Sequence, residues 1–227
     1  MSLDSIISDV LTEPKQPFGA GKEAGEQQTI EWIMERVGYC TASRFKDVMD
    51  FTKAGKPGAK RTAYMWELVI ERLTGKPVQH FTSTAMEYGI ATEPLARMAY
   101  EAASGNMVLQ TGFRKHSTIA WVGGSPDGII EPAGGFEAKC PYNPQHHLQC
   151  FLTGMPEEHM PQVQGLIWLH EADWWDFASF CPELPPEFQL YAQRIERDDD
   201  YAVKLEAAIT VFLSEVEATL AKLKGLP

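Results

Sequence analysis

The sequence predicts a mixed α/β (α+β) domain in which a central mixed β-sheet is flanked by helices. Four short apolar segments with tight connections follow one another between residues 107 and 139, which is typical of consecutive strands. Longer segments before and after them repeat apolar residues with the period of an α-helix. A length of 227 residues with 44% hydrophobic residues suits one such unit with a substantial core.

The expected elements follow from caps, breakers and apolar periodicity. Thr29 should cap the first helix, and Thr41 or Ser43 should cap a short helix that ends at Met49. Pro94 should kink or split a later helix near residues 91–92, because proline removes a helical hydrogen bond. Helices are expected at 30–36, 61–73, 83–104, 145–152 and 198–222, and strands at 107–110, 119–122, 128–130, 136–139, 174–180 and 188–195, the last two as an antiparallel pair.

Composition limits the class of protein. No apolar run approaches the ~20 residues that a membrane-spanning helix needs, and no secretory signal is visible at the start, so we expect a cytoplasmic protein without a membrane partner. Residues 1–28, rich in glycine and interrupted by proline, should form a flexible leader before a single domain over 29–227. The formal net charge of −11 opposes phosphate binding, so any DNA-binding surface must be locally basic.

The four cysteines lie too far apart in sequence for a zinc ribbon, a disulfide framework or an iron–sulfur cluster. We expect free, mostly buried thiols. The residues are Cys40, Cys140, Cys150 and Cys181.

One stretch carries a candidate metal site. Glu137 and Lys139 are two residues apart in a predicted strand, so their side chains point to the same face. A turn over 131–135 would fold Asp127 back beside them as a hairpin. Carboxylate oxygens suit a hard divalent cation such as Mg²⁺, and a partly desolvated lysine with a lowered pKa can orient or deprotonate a bound water.

Segments 124–128 (Gly-Ser-Pro-Asp-Gly) and 137–141 (Glu-Ala-Lys-Cys-Pro) resemble the PD-(D/E)xK nuclease signature as it occurs in the lambda exonuclease (phage-type recombination exonuclease) family. Residues 36–43, Arg-x-Gly-x-x-Thr-Ala-Ser, resemble a further element of that family. The resemblance covers most of 29–139 and reaches residue 164. It implies a restriction-endonuclease-like core and a single nuclease domain over 29–227.

The resemblance also implies a two-metal centre. Glu93 would complete the site formed by Asp127 and Glu137, with the backbone carbonyl of Ala138 as a further ligand. Two Mg²⁺ ions, or Mn²⁺ in their place, would activate the attacking water and stabilise the leaving oxygen. Gln164, in a Gln-x-x-x-Trp pattern, would support the nucleophile or the scissile phosphate.

Three further groups of residues are implied to contact DNA. One holds the 5′-phosphate beside a helix N-terminus. A basic Gly/Pro segment is either a solvated loop or a loop that follows phosphates, and a methionine is either part of the core or a wedge near the terminal base pair. The residues are Arg36, Ser43 and Ser125 for the phosphate, Lys53, Lys56, Lys60 and Arg61 for the loop, and Met86 for the wedge.

The activity implied is that of a Mg²⁺-dependent 5′→3′ exonuclease on duplex DNA ends, which leaves 3′ single-stranded tails for annealing-type recombination. Family members form trimeric rings around DNA and work with a single-strand annealing protein, so we expect a homotrimer, such a partner, and a phage or prophage origin in a bacterial host. Two alternatives stay open: a restriction-like or structure-specific endonuclease, and an inactive adaptor that binds DNA ends. The intact Asp127, Glu137 and Lys139 argue against the adaptor.

Overall fold

The computed structural model describes residues 29–79 and 82–226, so the expected leader over 1–28 lies outside the described residues. Within the described ranges, none of the helices is long and apolar enough to cross a membrane. The helices are α1 (Ile30–Arg36), α2 (Phe45–Val48), α3 (Ala59–Thr74), α4 (Thr84–Ser104), α5 (Pro144–Thr153), α6 (Met160–His170) and α7 (Asp199–Lys224). The strands are β1 (Cys40–Thr41), β2 (Arg114–Lys115), β3 (Val122–Gly124), β4 (Gly128–Ile130), β5 (Gly134–Lys139), β6 (Trp174–Phe180) and β7 (Leu190–Glu196).

The described strands form two mixed sheets rather than one. The three-stranded sheet has the order β1-β3-β2, and the four-stranded sheet has the order β4-β5-β6-β7. The central pair of the larger sheet, β5 and β6, is parallel, while β4 and β7 pair antiparallel at its edges. Residues 125–127 join β3 of the first sheet to β4 of the second. The predicted mixed α/β architecture is confirmed, and its antiparallel late pair is β6 with β7.

Two hydrophobic clusters hold the layers together. The larger one packs α2, α3, α6 and α7 around buried residues such as Phe45, Leu68 and Phe212. The smaller one packs α4 against the larger sheet through Tyr100 and Phe136, whose ring centroids lie 4.7 Å apart. Because α4 packs against β5 in this way, side chains from both elements can meet at one site.

Several expected elements differ in the structure. Residues 107–110 do not form a strand, because only Leu109 pairs with Ile129, through two backbone hydrogen bonds of 2.8 Å. The strand expected at 119–122 is displaced to Val122–Gly124. Pro94 does not split α4, which runs unbroken over 21 residues. Packing of buried Ala96 and Tyr100 onto the sheet outweighs the ~3 kcal/mol that an internal proline costs a helix.

The helix caps are confirmed in part. Thr29 Oγ1 accepts from the N–H of Trp32 at 3.1 Å, as expected. Thr41 and Ser43 do not cap a helix: residues Ala42–Arg44 form a 3₁₀ turn without a side-chain cap. The N–H of Thr41 donates to the hydroxyl of Tyr64 at 2.9 Å, so a tertiary contact holds this residue at the start of the turn. All four cysteines are free, and Cys140 is the least buried of them.

Candidate active site

The β4–β5 hairpin brings the predicted acids together. Gly128 of β4 is opposite Phe136 of β5, which places Asp127 beside Glu137. Asp127 Oδ2 accepts a hydrogen bond from the N–H of Ala138 at 2.8 Å. The expected hairpin is confirmed, with its turn over residues 131–133 between the two strands.

Glu137 is the centre of the cluster. Its side chain is 2% exposed, and Lys139 Nζ donates to its Oε1 at 2.6 Å, so the two residues share a face as predicted. Gln162 Nε2 donates to the same oxygen at 2.5 Å. The second oxygen, Oε2, is buried and has no hydrogen-bond partner among the described residues. An unpaired buried carboxylate oxygen is costly unless it gains a ligand.

Two acids at the site, Asp127 and Glu93, have raised pKa values. Burial, followed by the charges of Glu137 and Glu93, raises the pKa of Asp127 well above its ordinary value. Burial and the charge of Glu137 also raise the pKa of Glu93, although Lys139 opposes this. Glu93 in α4 therefore lies close enough to interact electrostatically with the hairpin acids, which fits its expected place in the cluster.

The expected lowering of the pKa of Lys139 is wrong. Burial lowers its pKa, but the charges of Glu137 and Asp127 and the hydrogen bond to Glu137 outweigh burial, so the pKa is raised. The physical reason is that a carboxylate-rich environment stabilises the ammonium form. Lys139 is therefore suited to orient and donate rather than to accept a proton.

The donor set fits a hard divalent cation. Among the described residues, no three His, Cys, Asp or Glu side chains are already arranged as a ligand shell. However, the charges of the neighbouring carboxylates help to raise the pKa values of Glu93 and Asp127, although Lys139, and Arg97 at Glu93, oppose this, so the cluster favours an added positive charge. The unpaired Oε2 of Glu137 offers one free ligand atom. Oxygen ligands of this kind are those that Mg²⁺ prefers.

Gln164 does not reach this cluster. Its Nε2 donates to the carbonyl of Glu196 at 2.8 Å and its Oε1 accepts from the N–H of Asp198 at 3.1 Å, which ties α6 to the start of α7. Side chains two positions apart on a helix point in nearly opposite directions, so only Gln162 can face Glu137. The Gln-x-x-x-Trp pattern selected Gln164, but the structure places Gln162 against Glu137 instead.

A second group of predicted residues meets next to the hairpin. Arg36 Nη1 donates to Ser125 Oγ at 2.9 Å, and Ser125 precedes Asp127 by two residues. The Arg36 guanidinium lies 4.1 Å from the ring centroid of Trp32, and burial lowers the pKa of Arg36. A cavity of about 440 Å³ opens there, lined among others by Arg36, Ser43 and Met86. We call it the Arg36 cavity.

The loop that follows Arg36, the last residue of α1, is held by the end of α3. Glu71 Oε2 accepts from the N–H of Gly38 at 2.7 Å, and Arg72 Nε donates to the carbonyl of Gly38 at 2.8 Å. Glu71 Oε1 also accepts from the N–H of Val78 at 3.1 Å. Gly38 has φ +77°, and a Cβ there would lie 2.8 Å from Arg72 Cγ, so glycine is required.

The basic segment divides into two parts. Lys53, Lys56 and Lys60 are exposed, which leaves them available to solvent or phosphates. Arg61 is 2% exposed, and its Nη1 donates to Glu215 Oε2 at 2.5 Å, so its expected contact with DNA is wrong. As the first turn of α3 packs against α7, it carries Arg61 into the interior. Met86 is 51% exposed and lines the Arg36 cavity, so it is not a core methionine.

Sequence reasoning missed two residues that the structure brings to these sites. Gln162 contacts Glu137, and the available signal was its place two residues before Gln164 at the start of α6. Arg44 lines the Arg36 cavity, with Nη1 donating to Glu67 Oε1 at 3.0 Å. It lies directly after Ser43, so its place next to the Arg-x-Gly-x-x-Thr-Ala-Ser motif was the signal.

The fold and the acid–lysine cluster place the chain among phage-type recombination nucleases. Residues 31–173 match the YqaJ-like viral recombinase domain, and the chain belongs to that family. It is similar to the alkaline exonuclease LHK-Exo from Laribacter hongkongensis in complex with dAMP, with 40% identity and a TM-score of 0.80 over 86% of this chain and 96% of that one. A second structure of LHK-Exo matches with 38% identity, a TM-score of 0.79 and the same coverage.

A phage-related exonuclease from Haemophilus somnus 129PT shares 15% identity over 82% of this chain and 96% of that one. Its TM-score of 0.65 shows the same fold. None of the curated proteins matched. The lambda exonuclease-like identification made from the motifs is therefore confirmed.

Proposed function

We propose that the chain is a Mg²⁺-dependent 5′→3′ exonuclease that degrades one strand from duplex DNA ends and leaves 3′ single-stranded tails for annealing-type recombination. The observation that carries this proposal is the hydrogen bond between Arg36 and Ser125. Ser125 is two residues from Asp127, so a phosphate held by Arg36 and Ser125 lies next to the acidic cluster. A strand can then be cleaved only near its 5′ end.

Glu93, Asp127 and Glu137 would hold the metal ions, with the carbonyl of Ala138 as the further ligand expected from the family. When bound, Mg²⁺, or Mn²⁺ in its place, supplies activation of the attacking water and stabilisation of the leaving oxygen. Lys139, protonated because its pKa is raised, would orient the nucleophile and neutralise charge on the scissile phosphate. Gln162 would keep Glu137 in position through its 2.5 Å contact.

The test compares linear duplexes that carry a 5′-phosphate, a 5′-hydroxyl or a 3′ overhang, with a covalently closed circle as control, in Mg²⁺ and in chelator. The proposal predicts release of mononucleotides from 5′ ends, dependence on Mg²⁺, and an intact circle. Cutting of the circle would instead identify a restriction-like or structure-specific endonuclease. Binding of ends without hydrolysis in either Mg²⁺ or Mn²⁺ would identify the adaptor.

Arg36→Ala separates end recognition from chemistry. It should slow degradation of 5′-phosphorylated ends but leave 5′-hydroxyl ends nearly unchanged, because the guanidinium provides a charge-assisted contact to phosphate. Equal slowing on both kinds of end would contradict the phosphate-binding role. Lys139→Ala should abolish hydrolysis while end binding persists.

We also propose, from the family resemblance, a homotrimer that encircles DNA and acts with a single-strand annealing protein in a bacterial cytoplasm. Light scattering of the purified protein tests the trimer, since a monomer or dimer at working concentration would refute it. Co-purification with a single-strand annealing protein tests the partner, since no complex between the two would contradict it.

A further inference from the structure

A second cavity borders the catalytic cluster at Lys139. Its volume is about 340 Å³, and its walls include Lys139, Pro141, His146, Gln149, Pro156 and His159. Among the described residues, it shares no lining residue with the Arg36 cavity. Lys139 belongs both to the catalytic cluster and to this wall, so a strand whose scissile phosphate lies at the cluster is adjacent to the opening. We call it the Lys139 cavity.

The walls of the two cavities differ in chemistry. The Arg36 cavity contains two guanidiniums: that of Arg44, which is paired with Asp47 and Glu67, and that of Arg36, whose described hydrogen bond is to the neutral hydroxyl of Ser125, so Arg36 suits phosphate. In the described lining of the Lys139 cavity, Lys139 is the one permanent cation, and it is already paired with Glu137. The other polar groups there are two imidazoles, the amide of Gln149, the hydroxyl of Ser179 and the carboxylate of Glu158, beside the apolar rings of two prolines. Such a surface is better suited to a nucleobase than to a phosphate.

His159 provides a flat and fixed face in this cavity. Its ring is stacked on the buried ring of Phe177 in β6, with centroids 5.4 Å apart and planes 25° apart. Burial and the charge of Lys139 lower the pKa of His159 to about 4. At neutral pH the imidazole is therefore uncharged, and it can stack or hydrogen-bond with a base without attracting the backbone phosphates.

We propose that the Lys139 cavity binds the base of the second nucleotide of the cleaved strand, on the 3′ side of the scissile phosphate. The first nucleotide extends from the 5′-phosphate at Arg36 to the scissile phosphate, so the second nucleotide continues past Lys139, where the cavity opens. His159 and the prolines contact the face of the base, and Gln149 and His146 contact its edge. The amide of Gln149 both donates and accepts, so all four bases are accommodated. The inference rests on the proposed function for the direction of the strand.

The first experiment measures binding without hydrolysis. The Asp127→Asn variant is mixed with a duplex that carries the fluorescent base 2-aminopurine at the second nucleotide from the 5′ end, or deep in the duplex as control. Stacking in the cavity should change the fluorescence of the terminal probe alone. Adding His159→Ala should remove that change, and His159→Phe should restore it, because phenylalanine keeps a flat ring on Phe177.

The second experiment uses the active protein and a duplex whose second nucleotide from the 5′ end lacks its base. Loss of one stacked base should lower the rate at which the wild-type protein degrades this substrate by about tenfold. Gln149→Ala should reduce this difference between the two substrates, whereas Gln145→Ala should retain it in full. Both glutamines are exposed on α5, and Gln145 is not among the described lining residues, so the pair is a matched control that does not disturb folding.

Two results would overturn the inference: equal degradation of the abasic and intact substrates by the wild-type protein, or a terminal 2-aminopurine signal that His159→Ala leaves unchanged. Failure of the proposed function looks different, because the wild-type protein would then not degrade intact linear duplex at all. In that case the fluorescence experiment still decides whether a base occupies the cavity.

Discussion

The side-chain amide of Gln162 donates to Glu137 Oε1 at 2.5 Å, and the ammonium of Lys139 donates to the same atom at 2.6 Å. These two contacts fix one oxygen of the carboxylate and leave Oε2 free. The relationship explains why a glutamine from α6 is needed at a site otherwise built from the hairpin and α4. It also makes the two glutamines of α6 separable by experiment.

Gln162→Ala should lower kcat by about 10- to 100-fold, because a group that orients a metal ligand typically contributes that much. Its effect on stability should be small. Gln164→Ala is the matched control: it should reduce the free energy of unfolding by about 1–3 kcal/mol, since the N–H of Asp198 loses its partner, with kcat nearly unchanged. Steady-state kinetics and urea unfolding of both variants check this. The reverse pattern would restore Gln164 as the residue that acts at the site.

Mg²⁺ should raise the unfolding temperature of the wild-type protein, because a ligand that binds only the folded state stabilises it. Asp127→Asn should unfold at a higher temperature than wild type in chelator, because it relieves repulsion between Asp127 and the charges of Glu137 and Glu93. The same variant should gain little from Mg²⁺. Thermal unfolding with and without Mg²⁺ measures both effects, and an equal Mg²⁺ shift in the two proteins would exclude Asp127 as a ligand.

Gly38→Ala should destabilise the protein and should selectively slow the degradation of 5′-phosphorylated ends. The new Cβ meets Arg72 Cγ at 2.8 Å and would disturb the contacts that hold the loop after Arg36. Gly55→Ala is a matched control, because Gly55 also has a positive φ of +72° but no described atom lies within 4 Å of its added Cβ. Both variants should lose about 1 kcal/mol from the backbone. Only Gly38→Ala should lower the ratio of rates on 5′-phosphate and 5′-hydroxyl ends.

Arg61→Ala should lower the free energy of unfolding, whereas Lys56→Ala should lower the affinity for DNA. Arg61 is buried between α3 and α7, with Glu215 as its ion-pair partner and the ring centroid of Phe212 at 5.2 Å. Glu215 is partly exposed and can be rehydrated, so we expect a loss of roughly 2–3 kcal/mol, at or below the usual range for breaking a buried pair. Lys56→Ala should leave the urea midpoint unchanged and reduce the salt dependence of binding. A normal midpoint for Arg61→Ala would show that the ion pair is unimportant.

Acidification should weaken the fold through His170. Burial and the nearby charge of Arg114 lower the pKa of His170 from its ordinary 6.5 to about 4. Between these two values the unfolded chain binds more protons than the folded one, so the free energy of unfolding falls as the pH falls from 6.5 towards 4. His170→Phe, which keeps a ring against Trp175, should reduce this dependence, and the rest of it comes from groups such as His159, whose pKa is also lowered to about 4. Urea midpoints measured across that pH range provide the check, and an unchanged slope would exclude His170.

Patterns among residues close in sequence were sufficient to predict much of the site. The two-residue period of a strand put Glu137 and Lys139 on one face, and the turn between β4 and β5 returned Asp127 to them. The helix cap at Thr29 also follows from neighbouring residues alone. These features depend on contacts between residues close in sequence, which is why pattern reasoning predicted them.

Packing between distant segments decided the rest. Arg61 and Lys60 are neighbours in a basic segment, yet only Arg61 is buried, because α7 supplies Glu215 from 154 positions later. Gln162 and Gln164 look equivalent in sequence, and the rotation of α6 against β5 and β7 determined which one meets Glu137. The sequence by itself determined the α/β class, the acid–lysine hairpin and the family. Only the tertiary structure decided which glutamine and which cations face the site, because helix rotation and burial depend on the whole packed core.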